Sequence, residues 1–383
     1  MFENLSIIQL QELWWVIVST IGAFFVFLTF VQGGQSILSY VARNDLEKLL
    51  VINSLGRKWK LTFTTLVLFG GALFAAFPLF YATSFGGAYW VWISILFTFV
   101  LQAVSFEFRK KPGNLLGART YELFLFINGT IGIFLIGVAL ATFFSGSSFQ
   151  LDDYNQVLWQ HPMLGLEAGL SFFNIAFGLF LVFLSRTLGA LYLLNNIDFR
   201  LDLVKDMQKR LRKAAMTNLT ASIPFLLYFL ASLFTGEGFA VTPESGEVFM
   251  ESGKYLQNLK AMPGVLAMLT IGLLLVVIGP LSARRASSTS GIWFSGFGSI
   301  LVALALLLTA GLNNTAFYPS RFDLNSSLTI YNASSSHYTL KAMSYIGLAI
   351  PFVLAYIIYC WPKMDKEKLS TGEVSDFTAK EIY

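Results

Sequence analysis

Nine stretches of this chain are each apolar over roughly 20 residues, the length needed to cross about 30 Å of hydrocarbon. They run at about 13–31, 59–81, 89–106, 123–144, 164–184, 217–234, 263–282, 292–310 and 340–361. A chain built this way is expected to be an all-α, polytopic membrane protein with nine transmembrane helices. Composition agrees. Only 13% of the 383 residues are charged, about half the share a water-facing surface carries, and 38 are Phe. A soluble or disordered protein is excluded. A net charge of +4 without a dense basic block leaves no basis for nucleic-acid binding. The first stretch reads as a retained span and not a signal peptide, since no basic region precedes it. Trp14 and Trp15 at its start suit a membrane interface.

Orientation follows from the cations. The links after spans 1, 3, 5 and 7 and the tail hold 22 of the 26 Lys and Arg, leaving Lys254, Lys260, Arg321 and Lys341 on the other side. By the positive-inside rule the N-terminus lies outside and the C-terminus in the cytoplasm. The outer links 145–162 and 235–262 are acidic, with Asp152, Asp153, Glu237, Glu244, Glu247 and Glu251. The inner link 186–216 reads as a helix lying at the membrane surface. Lys205, Lys209, Arg212 and Lys213 share one face, Met207 and Leu211 the other, and Arg210 breaks the pattern. Link lengths suggest two four-helix bundles, residues 1–144 and 145–311. The remainder, 312–383, supplies an outer link, a peripheral ninth helix and a cytoplasmic tail.

Metal and haem chemistry has little to work with. The one cysteine, Cys360, cannot form an internal disulfide or a thiolate cluster, and His161 and His337 lie outside the apolar runs. The nine Met read as packing. No catalytic residue and no metal ligand is assigned. Charges within spans are costly, so the few present are the candidate site residues. Lys60 and Glu122 sit at cytoplasmic ends. Glu107 ends span 3 on that side, either as a solvated ion pair or as a proton acceptor at the mouth of an internal path. Glu167, a turn inside span 5 near its outer end, faces a neighbouring subunit, lipid or a water pocket, or reaches the interface. Gln102, Asn128, Asn174 and Asn218 read as scattered interhelical hydrogen bonds.

Longer motifs point to a family. Arg43-Asn-Asp, Ile52-Asn-Ser, Gly70-Gly-Ala-Leu-Phe-Ala-Ala-Phe-Pro-Leu-Phe-Tyr81, Phe85-Gly-Gly-Ala-Tyr89 and Val104-Ser-Phe-Glu-Phe-Arg109 resemble subunit II of cytochrome bd quinol oxidase. So do Tyr318-Pro-Ser and Asn325-Ser-Ser-Leu-Thr-Ile-Tyr-Asn-Ala-Ser-Ser-Ser-His-Tyr-Thr-Leu340. The resemblance implies a bacterial cytoplasmic-membrane oxidase that oxidises quinol outside and reduces oxygen to water with cytoplasmic protons. Two b-type haems and one d-type haem are then expected in the partner, subunit I. This chain is its non-haem structural companion, in contact with membrane lipids, with a structural quinone or lipid and a small accessory subunit as further expected partners. Family members carry Asp-Gly-Phe-Asp where this chain has Gln32-Gly-Gly-Gln35. They carry His-Trp-Asp-Gly-Asn-Gln where it has Lys58-Trp-Lys-Leu-Thr-Phe63, and an Arg where it has Gln102. Amides do not carry protons at neutral pH. Protons are therefore expected to pass mainly through subunit I, with Glu107 the best remaining carboxylate here. The rival class, a secondary transporter or channel, calls for inverted repeats and paired mid-membrane charges that the sequence does not display.

Overall fold

The computed structural model describes residues 4–111, 113–200, 202–285 and 288–350, and positions 352, 355, 356, 359, 361, 363, 368 and 369. α1 (Ile7–Leu28) opens on a capping box: Gln9 N donates to Ser6 Oγ and Ser6 N to Gln9 Oε1. It breaks at Thr29, whose hydroxyl donates to Val26 O, and the span resumes as α2 (Phe30–Ser36). Short α3 (Leu38–Val41) leads to α4 (Asp45–Gly56), capped by Asn44. α5 (Trp59–Ala76) stops just before Pro78, which has no N–H to continue it and opens α6 (Pro78–Tyr81). α7 (Tyr89–Phe108) follows. α8 (Ala118–Ile127) and α9 (Ile133–Ser145) form one span with a wide turn at Asn128–Gly132. An antiparallel hairpin, β1 (Phe149–Leu151) with β2 (Val157–Trp159), precedes α10 (Phe172–Asn196) and α11 (Asp202–Thr235). A second hairpin, β3 (Glu237–Val241) with β4 (Val248–Ser252), leads to α12 (Lys254–Ala261), α13 (Pro263–Ala283), α14 (Gly291–Gly311) and α15 (His337–Gly347).

Eight helices among the described residues are long and apolar enough to cross a membrane. They match the first eight expected spans. α15 opens the ninth, 340–361, most of whose second half lies outside the described residues, as do Cys360, Lys366 and Lys380. Two expectations are corrected. The fifth span begins at Phe172, not at 164, because residues 164–171 form a turn and a short 3₁₀ helix, Leu166–Leu170. Nor does the link 186–216 form a helix lying flat. Its first part completes α10 and its last part belongs to α11, 34 residues or about 51 Å of helix. That length exceeds the hydrocarbon, so the basic half of α11 stands beyond it. Its apolar residues Val204, Met207, Leu211 and Ala214 are buried on the protein rather than on headgroups.

α10 is the central post, packed on α2, α9 and α11, while α1 packs on α5 and α14. Small residues permit the close approaches. A Cβ on Gly33 would fall 1.8 Å from Ser185 O, and one on Gly137 would fall 2.6 Å from Gly178 Cα. Both hairpins lie at one end of the bundle, and α3, α4 and the basic half of α11 lie at the other. At the hairpin end Trp15, Phe77, Phe80, Phe143, Phe317 and Tyr318 interlock, with Trp15 and Phe317 centroids 4.5 Å apart. Trp14 and Trp15 are buried. Their indole N–H groups donate to Leu340 O and Leu307 O, tying α1 to α15 and α14.

Candidate functional site

Toward the basic end, amides that looked scattered in sequence converge. Gln32 and Gln35 are one turn apart on α2 and face the same way. Gln35 Nε2 donates to Asn128 Oδ1 at 2.6 Å and to Leu125 O at 3.0 Å. Gln102 Nε2, from α7, donates to Gln35 Oε1 at 2.9 Å, and Gln32 Nε2 to Gln102 Oε1 at 3.3 Å. Asn128 Nδ2 reaches Thr98 Oγ1 at 3.3 Å. All five side chains are buried. The wide turn at Asn128 brings α8–α9 against α2, where a Cβ on Gly129 would sit 2.2 Å from Gln32 O. Gln32 Oε1 is buried with no hydrogen-bond partner among the described residues. This network joins three spans through neutral groups. It holds geometry and cannot take up or release protons near pH 7.

Charges gather one layer further out. Glu122 lies between Arg109 Nη2 at 2.6 Å and Lys48 Nζ at 2.9 Å. Buried Glu47 pairs with Arg210 Nη2 at 2.6 Å and accepts from Arg43 N, while Arg210 Nε donates to Val41 O. The residue that broke the amphipathic pattern of α11 thus clamps that helix to α3 and α4. Glu107 stands apart, with Lys60 Nζ 3.8 Å away and the two side chains 43% and 61% exposed. Such a pair contributes little to stability. On the neighbouring turn, the Arg200 guanidinium holds the Asp198 carboxyl below the usual carboxylate range.

Glu167 lies at the hairpin end, on the 3₁₀ turn and not within a span. Trp159 Nε1 donates to its Oε1 at 2.8 Å and Gly165 N to its Oε2 at 2.7 Å, with His161 Nδ1 3.6 Å away. It borders a small polar pocket with Ser84, Ser147, Asn174, Tyr318 and Arg321. Burial pushes the Tyr318 phenol up, although Ser147 Oγ donates to it. Between the two ends is a cavity with almost wholly apolar walls, lined by Phe25, Phe69, Phe143, Phe180, Val302 and Leu306 among others. Glu107 and Glu167 are therefore at opposite ends and do not form one site. His161 follows β2, and His337 opens α15 with its Nε2 3.0 Å from Leu5 O. Neither faces another side chain that would clamp an iron.

The sequence model of the cytochrome bd terminal oxidase subunit II family matches residues 10–364. The chain belongs to that family. It is a subunit of a cytochrome bd terminal oxidase and a multi-pass protein of the bacterial inner membrane. Cytochrome bd-I ubiquinol oxidase subunit 2 of Escherichia coli is 29% identical over 369 residues, covering 93% of this chain and 94% of that protein. Cytochrome bd ubiquinol oxidase subunit 2 of Bacillus subtilis is 26% identical over 368 residues, covering 92% and 95%. A chain of the bd oxidase from Geobacillus thermodenitrificans has the same fold, with TM-score 0.67 and 14% identity over 93% of this chain and 98% of that one. The transporter alternative finds no support. For this subunit II, two features escaped sequence reading. The convergence of the amides depends on packing between spans, and Glu47–Arg210 joins positions 163 residues apart.

Proposed function

We propose that this chain is the non-haem structural subunit of a quinol oxidase, packed against a haem-bearing subunit I. The observation that carries the reading is the family match along nearly the whole chain, joined to a helical fold of the same kind as a bd oxidase chain. A haem does not fit the residues here. Both histidines sit in turns or at a helix start at the hairpin end, and the polar interior is made of amides and hydroxyls. The two b-type haems and the d-type haem then belong to subunit I, where quinol oxidation and oxygen reduction take place. This chain contributes a rigid, greasy wall that retains them. The nine-span count, the division at 144 and 311, the external N-terminus and the cytoplasmic C-terminus belong to the same proposal. The basic end is then cytoplasmic and the hairpin end external. Lipids and a small accessory subunit are further partners, and a structural quinone or lipid would suit the apolar cavity between the ends.

Protons for oxygen reduction travel mainly through subunit I in this reading, because the amide network offers no titratable group along α2 and α7. Glu107, exposed at the cytoplasmic edge, is the one carboxylate placed to feed a path from this side. Glu167 holds the external hairpin on the bundle, at a surface suited to subunit or lipid contact. The test is spectroscopic. The co-purified complex should show both haem types, and this chain expressed alone should be colourless. Haem bound to the isolated chain would overturn the proposal.

A further inference from the structure

Arg186 lies within α10 and makes no ion pair among the described residues. Its Nε donates to Ser36 Oγ at 3.0 Å and its Nη2 to Thr130 Oγ1 at 2.9 Å, both neutral acceptors. Nη1 has no acceptor among the described residues, and the side chain is only partly buried. The guanidinium carbon lies 5.9 Å from the ring centroids of both Phe126 and Phe183. If hydrocarbon begins at Phe172, its roughly 30 Å end near Leu191, which places the Arg186 backbone about 7.5 Å inside the boundary. A charge at that depth calls for a partner. The chain supplies two hydroxyls and two aromatic walls but no anion.

The outer wall continues this arrangement. Arg119, Leu123, Phe126 and Thr130 follow one another at helical spacing along one face of α8–α9, and Arg119, Leu123 and Phe126 are exposed. A cation therefore marks the rim, apolar side chains line the descent, and Arg186 with Thr130 stands at its foot. We propose that this strip is a binding site for an acidic phospholipid. Its phosphate accepts from Arg186 Nη1, and an acyl chain lies over Leu123 and Phe126. The guanidinium is within about one helical turn and a half of the headgroup layer, so the phosphate needs only a shallow descent. That proximity, the exposed apolar strip and the cationic rim favour a lipid over a carboxylate on a partner helix. Assigning the site to the cytoplasmic leaflet rests on the orientation proposed above; the site itself does not.

The intact oxidase complex is reconstituted in nanodiscs of phosphatidylcholine doped with phosphatidylglycerol, and retained lipids are counted by native mass spectrometry. Wild type should retain phosphatidylglycerol preferentially. Arg186→Gln should lower that retention about fivefold, the weight of one cation near a charged lipid. Arg186→Lys should keep most of it, and Arg119→Gln should lose less. Equal retention in wild type and Arg186→Gln would overturn the proposal. Should Arg186→Gln fail to assemble, the wild-type complex decides: phosphatidylglycerol discs should raise its melting temperature above that in pure phosphatidylcholine, and no difference overturns the site. Equal stabilisation by inorganic phosphate alone would remove the lipid as the source. Rescue of Arg186→Glu by an acid-to-lysine change in a partner helix would assign the anion to protein instead. The haem spectrum of the wild-type complex is indifferent to all these outcomes, so failure here is separable from failure of the oxidase reading.

Discussion

The two ends of this bundle are held by opposite chemistry. At the basic end, carboxylates and cations are drawn together in close pairs, Glu47 with Arg210 and Glu122 with Arg109 and Lys48. At the hairpin end, the work is done by aromatic rings and neutral hydroxyls. Phe317 and Tyr318 pack into Phe80 and Phe143, and Ser147, Ser320 and Ser326 bond across the loops. Positive charge is concentrated on one side of the chain, so the other side has few cations with which to build ion pairs. It rests instead on burial of large rings, which needs no counter-charge. The difference teaches that charge asymmetry sets both orientation and the type of bond available to each end.

Four substitutions and one titration test the contrast. The largest effect is expected at the hairpin end: Phe317→Ala should cost about 4 kcal/mol, since a fully buried ring leaves a cavity among its neighbours. Denaturation of the complex in detergent reads it. At the basic end, Glu47→Ala should cost about 3 kcal/mol by stranding the Arg210 guanidinium. The double change with Arg210→Leu should recover part of that loss, and a double variant as weak as the single would show that the pair is not what holds α11. Gln35→Leu leaves Asn128 and Gln102 short of a partner and should cost about 2 kcal/mol. If it melts like wild type, the network is ornamental.

The titration separates the ends by pH. The phenol of Tyr318 is raised in the folded state, so its share of stability is present below the unfolded value near 10 and is lost as pH climbs past it. Alkaline melting should therefore begin there for wild type and later for Tyr318→Phe. Smallest of all is Glu107→Gln, whose exposed pair with Lys60 predicts a stability change below about 0.5 kcal/mol. Its value lies in turnover: a slowed oxidase keeps Glu107 on a proton path, and unchanged rates remove it.

Much of this was readable from residue order. Eight of the nine expected spans coincide with described helices, because an apolar run of that length has few alternatives in lipid. The start of the fifth span was misread. Residues 164–171 are as apolar as a helix end, yet Gly165 at φ 99° and the bonds from Trp159 and Gly165 to Glu167 turn them into a loop. The flat surface helix failed for a related reason. Periodicity shows which face of α11 is apolar but not whether lipid or protein covers it.

Residue order alone thus determined the spans, their number to within the last one, the concentration of cations in alternate links and the family. Those properties are local or additive along the chain. Tertiary structure alone decided that Gln32, Gln35, Gln102 and Asn128 meet, that Arg210 finds Glu47, and that Arg186 stands inside a span without an anion. Side-chain partners in a bundle depend on the rotation and depth of each helix, and both are set by close packing at contacts such as Gly33 on Ser185, which no pattern along one helix encodes.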